Sequence, residues 1–133
     1  MKPVKTDAPG GGLMAALGME ILSAGKDRVR GRMPVDDRTR QPRGLLHGGA
    51  SAAFAETLAS LGAALNIEED GFAAAGVELN ASHLRAVREG WVHGEATPAR
   101  IGRKLQVWEI RITDDDSRLV CLARLTVART PAG

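Results

Sequence analysis

One carboxylate stands in the middle of an apolar run. Ala52-Ala53-Phe54-Ala55 precede Glu56, and Thr57-Leu58-Ala59-Ser60-Leu61 follow it. A charge in such surroundings costs free energy unless a partner neutralises it or a reaction uses it. Two readings therefore stand at this position: a structural carboxylate paired with an arginine, or a general base or nucleophile. Nearer the amino end, Gly48 and Gly49 follow His47 at the close of a loop containing Gln41-Pro42-Arg43-Gly44. Glycines at a helix start let a ligand approach bare backbone N–H groups. Together with the positive end of the helix dipole, these groups hold an anion or an oxygen that becomes one.

Both features need one long helix. The segment from the loop to about Asn66 is apolar on every side, which predicts a buried helix wrapped by the rest of the chain. Around it the pattern is that of strands. Met19 to Ser23 and Arg28 to Val35 read as a hairpin. In the second strand Val29, Gly31 and Met33 share one face, and Arg28, Arg30 and Arg32 form a solvated face opposite. After the helix come four strands: Ala73 to Arg88, Trp91 to Ala99 (bent or bulged at Pro98), Leu105 to Thr113, and Arg118 to Arg129. Leu119, Cys121, Ala123, Leu125 and Val127 give the last strand a wholly apolar face that must be covered. Short turns favour antiparallel neighbours. The class is thus α+β, a curved antiparallel sheet around a central helix, in a single domain over 1–133 with residues 1–12 flexible. Phe54, Trp91 and Trp108 read as packing residues.

The totals exclude several roles. Of 133 residues, 44% are hydrophobic and 26% charged, which is globular composition. Aromatics make up 3%, too few for stacking single-stranded nucleic acid. A net charge of +2 is too small for duplex DNA binding, though it suits a small anionic ligand. The one cysteine, Cys121, cannot build a disulfide framework, and His47, His83 and His93 lack metal-ligand spacing, so no metal is expected. Nothing reads as a signal peptide or membrane span, which makes the cytoplasm the expected location.

Three stretches carry a family resemblance. They are Gln41-Pro-x-Gly-Leu-Leu-His47-Gly48-Gly49-Ala50-Ser51, Ala55-Glu56-Thr57-Leu58-x-Ser60, and Gly76-Val77-Glu78-Leu79-Asn80-Ala81-Ser82-His83-Leu84-Arg85, with Gln106-Val107-Trp108 beyond them. In this order and spacing the chain, from about Met19 to Val127, resembles the hotdog-fold acyl-CoA thioesterases. It is most similar to the branch of 1,4-dihydroxy-2-naphthoyl-CoA and 4-hydroxybenzoyl-CoA thioesterases.

The resemblance implies hydrolysis of an acyl-CoA, with aryl groups favoured, to free acid and coenzyme A. The coenzyme is part of the substrate, and no separate cofactor is implied. Glu56 would be base or nucleophile, and the helix start at Gly48 and Gly49 would polarise the carbonyl. Gln41 and His47 would support that pocket, unless they merely satisfy loop backbone groups. Ser60, one turn beyond Glu56, could hold a water beside it or simply allow close packing. Gly76 would lie near the acyl end, and His83, Leu84 and Arg85 along the pantetheine path. Arg100, Ile101, Gly102, Arg103 and Lys104 would receive the nucleotide end, though the pair Arg103-Lys104 departs from the family segment. Ordinary solvated strand residues are the plain alternative for both groups.

Gly48 and Glu56 lie about 12 Å apart on one helix at 1.5 Å per residue. One thioester cannot touch both. The simplest repair is a site shared between two subunits, which the resemblance also implies, in a dimer that pairs further into a tetramer. Two rivals remain: a hotdog dehydratase, which needs an acid and a base flanking the acyl Cα–Cβ bond, and a non-catalytic acyl-CoA sensor, which has no need of the Glu56 carboxylate and is expected to carry a DNA-binding appendage.

Overall fold

The computed structural model describes residues 11–67 and 69–132. The flexibility expected of residues 1–12 falls, for 1–10, outside the described residues, while Gly12 opens a helix. The elements in order are α1 (Gly12–Leu17), β1 (Glu20–Ala24), β2 (Val29–Pro34), α2 (Gly48–Leu65), β3 (Phe72–His83), β4 (Trp91–Ile101), β5 (Leu105–Thr113) and β6 (Leu119–Pro131). All six strands form one antiparallel sheet in the order β1-β2-β4-β5-β6-β3. Helix α2 packs against every strand, so sheet and helix share one core. This is the hotdog arrangement. Among the described residues, no helix is long and apolar enough to cross a membrane.

Helix α2 is rich in Ala and Leu, with Thr57 its one β-branched residue, which suits a helix. It is covered on one side only. Phe54, Ala55, Leu58, Ala59 and Ala63 are fully buried against the sheet, at the spacing of a single helix face. The opposite face, with Glu56 on it, is open. This corrects the expectation of a helix wrapped all round: one sheet can cover only the face turned toward it. The close fit depends on small residues. A Cβ at Gly62 would stand 2.4 Å from the Trp108 ring. Beside it Trp108 Nε1–H donates to Gln106 Oε1 (2.9 Å), and Gln106 Nε2–H donates to Ala63 O (3.0 Å). This buried polar chain ties β5 to α2 with every partner satisfied.

Strand β3 is an edge strand and is shorter than its sequence suggests. It ends at His83 because the chain then changes partner. Leu84 N–H still donates to Val120 O (2.8 Å), but Val87 O accepts from Leu46 N–H (2.8 Å), which carries the segment onto the loop before α2. Within β3 a bulge at Val77 leaves Gly76 opposite Val127 and Glu78 opposite Thr126. The extra residue shifts the alternation, so Phe72, Ala74 and Gly76 face the helix before it and Leu79, Ala81 and His83 after it. A similar irregularity at Pro98–Arg100 in β4 matches the break expected at the proline. Arg30 pairs with Glu95 (2.7 Å) and Arg32 with Glu20 (2.6 Å) on the outer face, and Trp91 packs under Arg32.

Candidate active site

The loop before α2 is pinned by its own backbone. Gln41 N–H donates to Leu45 O, Gly44 N–H to Gln41 O, and His47 N–H to Thr39 O. Thr39 is buried, and its hydroxyl donates to Pro34 O (2.8 Å). The Gln41 side-chain Oε1 accepts from Arg43 N–H. That bond fixes the amide and leaves its NH2 group as a donor. His47 caps the helix: its Nδ1 accepts from Gly49 N–H at 2.7 Å, which places the ring proton on Nε2. Ala50 and Ser51 N–H both go to His47 O. Gly48 N–H is thus left without a partner among the described residues. The expectation that Gly48 and Gly49 both present bare N–H groups is corrected to Gly48 alone. Both glycines leave little room for a side chain. A Cβ at Gly49 would meet the His47 ring at 2.9 Å, and one at Gly48 the His83 ring at 3.0 Å. A cavity of about 410 Å³ opens here, lined by Gln41, Leu46, Gly48, Ser51, His83 and Arg85 among others.

Glu56 lies on another part of the helix. It is exposed, which corrects the expectation of a buried charge. It has no ion pair or hydrogen bond among the described residues, so the reading as a carboxylate neutralised by arginine fails. Its Oε2 lies over Gly76, where a Cβ would stand 2.7 Å away. The bulge and the missing side chain together make room for the carboxylate against β3. Ser60 and Thr57 share its face, and all three line a cavity of about 740 Å³ that runs toward Ile67, Phe72 and Leu13. The molecule therefore carries two separate candidate half-sites. One has hydrogen-bond donors at the N-terminus of α2; the other has a carboxylate in mid-helix and an apolar groove beside it.

Residues 43–121 match the family model described as the thioesterase superfamily. The chain belongs to the thioesterase superfamily. It is 49% identical over 118 residues to the proofreading thioesterase EntH of Cronobacter turicensis, covering 89% of this chain and 85% of that one. Its fold is similar to the crystal structure of a thioesterase from Haemophilus influenzae, with a TM-score of 0.84 and 41% identity over 98% of this chain and 96% of that one. It is also similar to a Gln-to-Ala mutant of a thioesterase from Pseudomonas aeruginosa, with a TM-score of 0.86 and 40% identity over 90% and 86%.

In this thioesterase the residues singled out in the sequence divide between the half-sites. Gln41, Gly48, His83, Leu84 and Arg85 line the first, with His47 as the helix cap. Glu56, Ser60 and Gly76 gather at the second. Arg100, Ile101, Gly102, Arg103 and Lys104 join neither. Arg100 and Ile101 end β4, and Gly102, Arg103 and Lys104 connect it to β5, where Gly102 N–H donates to Leu105 O and Lys104 O accepts from Arg129 N–H. That turn lies beyond Ala128, at the Ala75 end of β3, whereas His83 is at the other end. Leu13, Thr57, Ile67 and Phe72 were not foreseen as lining residues. Thr57 could have been found from its place beside Glu56 on the helical period; Leu13 and Phe72 come from distant elements and carry no local signal. Burial pushes the Cys121 thiol up, so it is no nucleophile at neutral pH.

Proposed function

We propose that this thioesterase hydrolyses an acyl-CoA to the free acid and coenzyme A, at sites that each join the Gly48 end of one chain to Glu56 of a second copy. The observation that carries the reading is the separation of the half-sites: the donors and the carboxylate lie about 12 Å apart along one helix. The long edge strand β3 supports it. Its outer side has no strand partner among the described residues, and Val77 on it is 61% exposed. Edges of this kind are normally covered. Two copies paired antiparallel along β3 would set the His83 end of each strand against the Phe72 end of the other, and so the two kinds of half-site against each other.

Gly48 N–H and the Gln41 NH2 group would then donate to the thioester oxygen and hold the negative charge that develops there. Glu56 would take a proton from water as it attacks the carbonyl carbon, or attack the carbonyl itself to give a mixed anhydride that water then opens. In either course the thiolate of coenzyme A leaves and is protonated. Arg85, exposed at the mouth of the donor half-site, suits the phosphates of the coenzyme. Arg100, Arg103 and Lys104 would reach the same ligand only from the second chain. No cofactor or metal enters the reading, and its setting would be the cytoplasm, where acyl-CoA esters and a reduced Cys121 coexist.

The test is release of free thiol from a panel of aryl and aliphatic acyl-CoA esters by wild type and Glu56→Ala. Turnover that falls at least about 10²-fold in the variant while ligand binding persists is expected. Absence of turnover on every ester, with tight binding by both proteins, would turn the assignment to a sensor.

A further inference from the structure

We infer that Arg40 is a positioning residue for the donor half-site. Its guanidinium holds the span from Leu84 to Arg88 against the loop that carries Gln41 and His47, and so sets where Arg85 meets the phosphates of coenzyme A. The inference rests on the proposed reading that this half-site takes the coenzyme end of the thioester, and it adds a residue that does not itself line the cavity.

One wall of the donor cavity is Gly48 and Ser51 of α2; another is His83 with Leu84, Arg85 and Ala86. These last four are all exposed. The span they begin is held at its ends by backbone bonds. Leu84 and Arg85 N–H donate to Val120 O at 2.8 and 3.3 Å, Leu46 N–H donates to Val87 O at 2.8 Å, and Val35 N–H donates to Gly90 O at 2.8 Å. Between the last two stands Arg88, whose carbonyl accepts from Arg40 Nε–H at 2.9 Å. Among the described residues this is the one hydrogen bond from a side chain to the backbone of 84–90. The rest of the guanidinium looks the other way: Nη2–H donates to Val35 O at 3.2 Å and Nη1–H to Asp37 Oδ1 at 3.1 Å. One planar group therefore ties the end of β2, its own loop and the far wall of the cavity. Asp37 is fully exposed, so the ion pair adds little, and the two carbonyls fix the geometry. Lysine would keep the charge without the fork that reaches both carbonyls.

A span with exposed side chains and few anchors opens locally at small cost in free energy. Ordering it when a ligand arrives then subtracts from affinity. A tie made in advance lowers that cost. Gln41 does not depend on the tie, because its loop is closed by bonds of its own to Leu45 and Gly44. The effect of Arg40 should thus fall on the coenzyme end of the ligand more than on the thioester.

The experiment measures kcat/KM for the acyl-CoA that the ester panel ranks first and for the N-acetylcysteamine thioester of the same acyl group, which keeps the thioester and lacks the phosphates. Affinity for free coenzyme A is read by calorimetry. Arg40→Met should lower kcat/KM for the acyl-CoA, and weaken free coenzyme A, by about threefold to tenfold. The short thioester should lose much less, so the ratio between the two substrates falls. Loss of fold alone would lower both alike. Arg40→Lys should lower the ratio as well, and is the variant to read should Arg40→Met melt below the assay temperature. In an Arg85→Ala background the Arg40 substitutions should no longer change the ratio, because the group that Arg40 places is gone. An unchanged ratio in a folded Arg40 variant, or an undiminished effect in Arg85→Ala, would overturn the inference while the hydrolase reading stands. Absence of turnover on every thioester, with no binding of coenzyme A by wild type, would overturn both.

Discussion

The amino end and the middle of helix α2 are built differently. At the amino end nearly every polar group is already spoken for. Gly49 N–H is capped by His47, Ala50 and Ser51 N–H converge on His47 O, and the Gln41 side chain is locked by Arg43 N–H. What remains is a small set of donors, fixed in direction before any ligand arrives, which is the arrangement that stabilises a developing oxyanion. In mid-helix the situation is reversed. Glu56 has space made for it by Gly76 and no partner, and the groove beside it is largely hydrocarbon. On the proposed reading, donors without a base and a base without donors are halves of a site that two copies complete.

That contrast can be broken at either end, and the expected effects descend in order. Glu56→Ala removes the base or nucleophile and should lower kcat by about 10²–10⁴-fold with ligand binding kept, measured by thiol release. Gln41→Ala removes one of the donors, and a loss of about 10²–10³-fold in kcat is expected, with little change in the affinity for free coenzyme A by calorimetry. Gly76→Ala leaves every reacting group in place but puts a Cβ where Glu56 Oε2 now lies. Displacement of the carboxylate should cost up to about 10²-fold in kcat, and the melting temperature should change little because only the end of a flexible side chain must move. If Gly76→Ala matched wild type, the position of Glu56 against β3 would not matter to the reaction.

A change away from both ends serves as the reference. Asp114, at the β5–β6 turn, accepts from the backbone N–H groups of Arg118 and Asp116 and from Arg118 Nε, each at 2.9 Å. The Arg118 backbone bond foremost, with these others, holds its carboxyl below the usual carboxylate range. A carboxylate whose pKa is depressed by folding adds stability that is complete above its unfolded value of 3.8 and is lost as pH falls through the lower folded one. Asp114→Asn should therefore melt earlier than wild type at pH 7. The difference should shrink on titration through the acid range, with kcat unaffected at temperatures where both are folded.

Most of the fold was legible in the sequence because it rests on periodicity. The alternation in β2 and the apolar face of β6 hold in the structure, and β5 runs from Leu105 to Thr113 as expected. The misreadings have a common cause. Composition says that a side chain is apolar, not how much neighbouring surface there is to cover it. The Ala-rich face around Glu56 was therefore read as buried, whereas a single sheet reaches only the other face. The end of β3 at His83 was hidden because it depends on Val87 meeting Leu46, a contact between distant segments. In the site, Gly48, Glu56 and Gly76 could be found from the motif. That Gly49 is occupied by His47 could not, since it follows from the direction of one imidazole ring.

The shared site is tested most directly by mixing two inactive proteins. Glu56→Ala and Gln41→Ala chains, unfolded and refolded together in equal amounts, should regain about one quarter of wild-type activity. Half the dimers would be mixed, and in each of those one of two sites would have an intact Gln41 from one chain facing an intact Glu56 from the other. Mixed dimers shown to be present by native mass spectrometry, yet no more active than either parent, would place both residues in a site within one chain and contradict the account.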